Sequence, residues 1–425
     1  MINIKKIRED LPGLKKALSK RGQEDLPELL DRTLDLDQER RKVLAEVNTL
    51  KAKRNEDSKE IGSMIKDGLD ASALIVEMRE LGDKVTAMDS QVREFESKIS
   101  DLLLLIPNIP HHEVPGGGIE NNQIIRTVGS PKQFEFDPKP HYEIGETLGI
   151  LDFPRGAKIS GSGFPVLKGK GALLQRCLID FMLDLHHESH GYCELRVPYL
   201  VTQESLVGTG QLPKFAEELY QTVRDDLWLI PTAEVPVTNL HRGELLKLGD
   251  LPVSYSAYSP CFRREAGAAG ADTRGLLRVH QFDKVELVRY VVPENSREAL
   301  EEITAEAESI LCALGLTYRV LKLAAGDLGF SAEMTYDIEV WSPGVEQWLE
   351  VSSCSSFSDF QARRADIRFR SGENEKPRFV HTLNGSALAL PRLLVALIET
   401  YQTVNGDIQI PEAIRDRLGF SVISV

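Results

Sequence analysis

From Leu74 onward the apolar residues step by four and three: Leu74, Met78, Leu81, Val85, Met88, Val92, Phe95, Ile99, Leu102 and Ile106. That step keeps one stripe on one side of a helix, so it predicts a heptad seam roughly nine turns long. A poorer seam precedes it, running Leu29, Thr33, Leu36, Arg40, Val43, Val47, Leu50, Arg54, Asp57 and Ile61. Between the two lies Lys66-Asp67-Gly68-Leu69-Asp70, a turn-prone segment. Two helices of similar length joined by a short turn predict an antiparallel hairpin, each arm extending on the order of 50 Å. The pattern stops at Pro107-Asn108-Ile109-Pro110, and Pro115-Gly116-Gly117-Gly118 follows. Proline ends a helix and glycine sustains regular structure poorly. The chain is therefore expected to divide into a hairpin over residues 1–110 and a second domain over 111–425.

Beyond that boundary the periodicity alternates. Gly171 to His190 reads as an amphipathic helix, whereas Val253 to Arg264, Leu277 to Val292, Thr335 to Trp341 and Trp348 to Ser353 read as strands. Helix-sized crossovers do not separate every strand. An α+β fold is expected, with a mainly antiparallel sheet, flanking helices and the N-terminal coiled-coil hairpin.

Composition narrows the class. The 425 residues are 42% hydrophobic and 27% charged, ordinary for a globular protein and unlike a disordered chain. No apolar run approaches the ~20 residues of a membrane helix, and Met1 to Asp10 lacks the apolar core of a signal peptide. The cysteines Cys177, Cys193, Cys261, Cys312 and Cys354 are scattered and never paired as CxxC. They predict reduced thiols in a cytosolic protein and argue against a zinc site. Formal net charge is −14, so any binding of nucleic acid must rest on local basic patches. One such patch lies on the first hairpin helix: Arg40, Arg41, Lys42, Lys51, Lys53 and Arg54, with only Glu46 opposing them. The solvated face of a coiled coil carries similar charge. Two of these arginines fall on the apolar seam, where they weaken self-packing and point to a phosphate-contacting ridge.

The candidate chemistry is nucleotide handling without a P-loop, since no GxxxxGK[ST] occurs. Arg263 and Glu265 are two apart and would share a strand face. On the next strand Arg278, His280, Phe282, Lys284 and Glu286 alternate on one side, with Val279, Val285 and Leu287 on the other. A face gathering arginines, carboxylates and an aromatic suits phosphate, amine and base together. The glycine-rich stretch Ala266 to Gly275 joins the two strands and is expected to be mobile.

Phe262-Arg263-Arg264-Glu265 resembles motif 2 of class II aminoacyl-tRNA synthetases. Gly191 to Tyr199 is similar to motif 1, and Leu383 to Arg392 to motif 3. Three further segments resemble the seryl-tRNA synthetases in particular: Pro231-Thr232-Ala233-Glu234, Trp348 to Ser355 followed by Asp359-Phe360-Gln361-Ala362-Arg363-Arg364, and Asn384-Gly385-Ser386. Motif 3 departs from the family at Ala387 and Pro391, where glycines are common. Threonyl and prolyl enzymes fit less well, and a dead paralogue would be expected to lose the motif arginines and carboxylates that are all present here.

The resemblance implies activation of L-serine with ATP and transfer to tRNA(Ser), and by extension tRNA(Sec). It implies Arg263, Glu265 and Arg392 as catalytic groups. Thr232, Ala233, Glu234, Glu286 and Ser386 would enclose serine. Arg263, Arg264, Glu265, Val279, Phe282, Glu350, Val351, Ser352, Ser353 and Arg392 would bind ATP. Glu350 and Ser353 would hold Mg²⁺ as hard oxygen ligands. Because they are three apart, a bend or bulge is required to put them on one face. The hairpin cluster Arg40, Arg41, Lys42, Lys51, Lys53 and Arg54 would contact tRNA by shape, at its long variable arm. A homodimer in the cytoplasm, without zinc or membrane, completes the expectation.

Overall fold

The computed structural model describes residues 1–266 and 274–425. The mobility expected of Ala266 to Gly275 falls mainly on residues outside that range. The chain divides into two compact units, one comprising Ile2–Ser19 with Gln23–Pro107 and the other Met1, Lys20–Gly22 and Asn108–Val425.

In the first unit, helices α1 (Leu26–Lys66) and α2 (Ser72–Leu105) run antiparallel. At 1.5 Å per residue they are roughly 60 and 50 Å long. The reversal has clear local causes. Gly68 takes a left-handed conformation that other residues adopt at a cost. The Asp70 carboxylate accepts from the Ser72 amide at 2.9 Å. All the predicted α2 seam positions are buried or half-buried, with Val85, Val92, Ile99 and Ile106 innermost. The α1 seam is less regular: Leu30 and Asp37 are also fully buried, because the short helices at Ile4–Glu9 and Leu11–Ser19 cover that side. There Arg8 pairs with Asp37 at 2.5 Å, holding its carboxyl below the ordinary value despite burial.

The seam arginine Arg40 is accommodated rather than left as a defect. It bridges Asp37 at 3.3 Å and Glu96 at 3.0 Å. Lys51–Asp89, Lys53–Glu77 and Glu46–Lys84 pairs lace the two helices at 2.8–3.0 Å.

The second unit is built on an eight-stranded sheet. In chain order its strands are β1 (Gln123–Val128), β2 (Cys193–Leu195), β3 (Val253–Phe262), β4 (Gln281–Val291), β5 (Tyr318–Lys322), β6 (Met334–Ser342), β7 (Gln347–Ser356) and β8 (His381–Ala389). Their order across the sheet is β1-β5-β6-β7-β8-β4-β3-β2. Every pairing is antiparallel except the edge pair β2–β3.

Alternation along β4 explains the layering. Val285, Leu287 and Val291 point into the main core, packed with helices α3 (Lys170–His190), α5 (Ser296–Ala313) and α7 (Leu390–Thr400). Val288 and Tyr290 face the other way, into a smaller core with Ala233, Val237, Ala257 and Ala362. Two short helices supply that second layer, α4 (Glu234–Thr238) and α6 (Phe360–Ala365). Pro391 sits in the first turn of α7, where a missing N–H breaks no helical bond, so the departure in motif 3 is structurally benign.

Two strand expectations need correction. β3 ends at Phe262, so Arg263 and Glu265 do not share a strand face. The Arg263 amide still donates to the His280 carbonyl at 2.9 Å, but Glu265 has φ +49°, outside the range of a strand. Likewise β4 begins at Gln281, leaving Arg278 and His280 in the preceding turn.

Candidate active site

The polar groups converge on the sheet face shared with α4 and α6. Cross-strand partners lie on the same face, and the register is explicit. Phe282, Lys284 and Glu286 of β4 oppose Cys261, Ser259 and Ala257 of β3. Ser386 of β8 opposes Glu286, and Asn384 opposes Ser355 of β7. Ser353, two residues back, opposes Asp337 of β6.

Between β6 and β7 the register slips by one residue: Ser352 faces Ile338, while Glu350 faces Glu339, so Val351 is the extra residue. This bulge brings Glu350 to the same face as Ser353, which regular alternation forbids. The required irregularity is therefore present.

At the centre, Glu286 is fully buried. Its carboxylate receives Lys284 Nζ at 2.5 Å, Asn384 Nδ2 at 2.7 Å and Ser386 Oγ at 3.5 Å. A buried carboxylate is tolerated only with such partners. The sequence places Lys284 on this face and Asn384 in the motif 3 segment, but assigns neither a role in the site. Lysine alternating in a strand looks like a surface residue, yet Lys284 is buried because it neutralises Glu286.

Beside it, Glu234 at the start of α4 is also buried. The Gln361 side-chain amide donates to it at 2.6 Å, and the Glu234 amide donates to Thr232 Oγ1 at 3.1 Å. Burial, reinforced by the charge of Glu286, pushes the Glu234 carboxyl up to about 7. Ala233 is fully buried in the smaller core, and its carbonyl accepts from the Val237 amide at 3.0 Å.

The remaining residues line the approach. The Arg263 guanidinium lies over the Phe282 ring, 5.1 Å from its centroid. Arg278 pairs with Glu265 at 3.3 Å. The Arg264 amide donates to the Glu218 carbonyl, and its side chain is exposed. Arg392 donates to the Glu350 carbonyl at 2.8 Å and lies 3.7 Å from its carboxylate. Val279 is buried. Val351 packs in the main core, and Ser352 donates to the Ser386 carbonyl at 2.5 Å. Neither side chain is free for a ligand, so their contribution to any nucleotide site is through the backbone.

Asp337 adds an acidic group that sequence reasoning missed. One of its oxygens is buried without a hydrogen-bond partner. Burial, then the Glu350 charge, pushes its carboxyl well above the ordinary range, against a hydrogen bond from Ser353. Glu350, Ser353 and Asp337 together form an electronegative oxygen set that fits a hard divalent cation such as Mg²⁺.

The comparisons bear directly on this arrangement. Residues 216–401 match the tRNA synthetase class II core domain (G, H, P, S and T), and residues 1–110 match the seryl-tRNA synthetase N-terminal domain. A serine–tRNA ligase of Geobacter sulfurreducens is 52% identical over 99% of each chain. One from Geobacillus kaustophilus is 53% identical, again over 99% of each.

The chain belongs to the seryl-tRNA synthetase family.

A solved seryl-tRNA synthetase of Pyrococcus horikoshii, complexed with ATP, superposes with a TM-score of 0.95 at 39% identity, covering 100% of this chain and 99% of that one. A Giardia lamblia prolyl-tRNA synthetase shares the fold more distantly, at TM-score 0.56 and 16% identity over 65% of this chain and 56% of that one. The class II assignment made from motif order thus holds, and seryl relatives match over nearly the full length of the chain.

Proposed function

We propose that the protein activates L-serine with ATP to seryl-adenylate and transfers the seryl group to tRNA(Ser), with tRNA(Sec) as a second acceptor. The observation that carries this reading is the pair of buried carboxylates, Glu234 and Glu286, on one face beside Lys284, Ser386 and Arg263. Glu234 and Thr232 receive the serine ammonium. Glu286, with Ser386, receives the side-chain hydroxyl: its oxygens are anchored by Lys284 and Asn384 yet retain acceptor capacity. Alanine would leave these buried groups unpaired and is rejected strongly. Threonine is rejected by crowding, worth only ~1–3 kcal/mol per methyl.

Arg263 holds the serine carboxylate against the α-phosphate, so that the carboxylate oxygen attacks phosphorus in line as pyrophosphate leaves. The Phe282 ring stacks the adenine, and Glu265 contacts its edge. Arg392 neutralises the outer phosphates. Glu350 and Ser353 would hold Mg²⁺, which supplies charge neutralisation on the triphosphate. A terminal ribose hydroxyl of tRNA then attacks the acyl carbon, releasing AMP. Positioning and charge stabilisation account for both steps.

The arm's basic ridge supplies the tRNA contact. Lys42, Lys51 and Lys53 already hold carboxylates in exposed or half-exposed pairs, which contribute little and yield readily to phosphate, whereas Arg40 is also held by the buried Asp37. Arg41 and Arg54 hold no carboxylate among the described residues. A cytoplasmic homodimer belongs to the same reading. It is supported by the short edge strand β2, which leaves one sheet edge unpaired among the described residues, and by five unpaired cysteines.

Charging assays with serine test this reading. tRNA(Ser) and tRNA(Sec) transcripts are expected to accept serine, and a transcript lacking the long variable arm to be charged far more slowly. Equal charging of the truncated transcript would overturn the role given to the hairpin.

A further inference from the structure

We infer that Gln361, locked by Thr382, is a positioning residue for amino-acid binding: it holds the Glu234 carboxylate in place and favours the anionic form that a substrate ammonium requires. This rests on the proposed role of Glu234 and extends it one layer outward.

Gln361 lies on α6 and has no exposed surface. Its amide makes three hydrogen bonds. Nε2 donates to Glu234 Oε1 at 2.6 Å and to the Thr209 carbonyl at 3.3 Å. Oε1 accepts from Thr382 Oγ1 at 2.7 Å. A flipped amide would turn its carbonyl oxygen toward two acceptors, so the network admits one orientation. Thr382 is itself fully buried.

Thr382 stands two and four residues before Asn384 and Ser386 on the same strand, β8. All three therefore share a face. Thr382 acts on Glu234 through Gln361, while Asn384 and Ser386 contact Glu286 directly. One strand face thereby sets the geometry of both carboxylates.

The charges around Glu234 make this support necessary. Glu286 of β4 repels its anion. Lys284 of the same strand and Arg263 beyond β3 attract it, and the Gln361 donor adds to them. Lys284 is already held by Glu286 at 2.5 Å, and Arg263 lies over Phe282. Among the described residues, Gln361 is the side chain that hydrogen-bonds the Glu234 carboxylate. Without it, Glu234 would take a proton at higher pH, and less of it would be anionic near neutral pH to receive an ammonium.

The test is pyrophosphate exchange with the full-length protein over pH 6 to 9, for wild type, Gln361→Met and Thr382→Val. Gln361→Met keeps the side-chain length and removes the donor. It is expected to raise the KM for serine roughly tenfold or more near pH 7, the loss of one charge-assisted hydrogen bond. The acid limb of kcat/KM for serine should move to higher pH, and the deficit should shrink towards pH 9. The KM for ATP should stay within about twofold. Thr382→Val should show the same pattern more weakly, since only the orientation of the amide is lost; it also guards against misfolding of the first variant. A deficit independent of pH, an equal rise in the KM for ATP, or an unchanged serine KM in both variants would overturn the inference. Wild-type protein that fails to exchange with serine would instead overturn the functional reading beneath it.

Discussion

Replacing Glu234 by glutamine should make the protein more stable at alkaline pH while removing its affinity for serine. The Glu234 carboxyl is pushed up to about 7 from an ordinary value of 4.5, chiefly by burial and then by the Glu286 charge. Between those two values the folded chain retains a proton that the unfolded chain has released. Folding stability therefore falls as pH rises through that window, and the loss is complete above it. At about 1.4 kcal/mol per pH unit the cost reaches roughly 3 kcal/mol by pH 8.5 and is nearly absent at pH 4.5. Glutamine has the same shape, still accepts from Gln361, and carries no charge to desolvate. For a unit of roughly 320 residues, with an unfolding entropy of about 2.1 cal/mol/K per residue, 3 kcal/mol corresponds to a midpoint shift of about 5 °C. Thermal unfolding of wild type and Glu234→Gln at pH 5 and pH 8.5 measures it. The variant should melt higher than wild type by several degrees at pH 8.5, with a much smaller gap at pH 5. The same gap at both values, or a variant that melts lower at pH 8.5, would refute the reasoning. Gain of stability with loss of binding is the trade expected where a site holds a charge for its substrate.

Other perturbations act on separate parts of the structure. Lys284→Met leaves Glu286 buried without its cation and should destabilise the catalytic unit by roughly 3–5 kcal/mol, read as a lowered melting midpoint and loss of serine-dependent exchange. Gly275→Ala should lower the melting midpoint by the equivalent of about 2 kcal/mol or more. Gly275 has φ +74°, and an added Cβ would lie 2.1 Å from Nε2 of the buried His141, which accepts from the Leu276 amide at 3.0 Å. Arg41→Ala and Arg54→Ala should each lower the slope of log affinity for tRNA(Ser) against log salt by roughly one, while tRNA-independent exchange is unchanged.

Much of this architecture is legible in the sequence, for physical reasons. The α2 seam is unbroken and polar-flanked, so periodicity alone places it. The β4 alternation survives because Val285 and Leu287 face one core while Lys284 and Glu286 face the site. The ends of β3 and β4 are less legible. Arg263 and Glu265 fit a strand pattern, but the left-handed conformation at Glu265 ends it, and nothing in the residue type announces that. Buried polar support is the least legible. The pattern places Lys284 on the site face, and Asn384 and Gln361 fall within the family motifs, but no residue type announces their burial or that of Asp337; the partners of Gln361 lie 127 and 152 positions away in the chain. The bulge at Val351 was inferable only because Glu350 and Ser353 were assigned a shared task.

The central claim is that the face holding Glu234 and Glu286 is a serine-activating site. Pyrophosphate exchange with ATP, run without tRNA and with each amino acid in turn, tests it most directly. Exchange with serine alone, abolished in Glu286→Ala, is the predicted result. Exchange driven by a different amino acid, or serine exchange undiminished in Glu286→Ala, would contradict it.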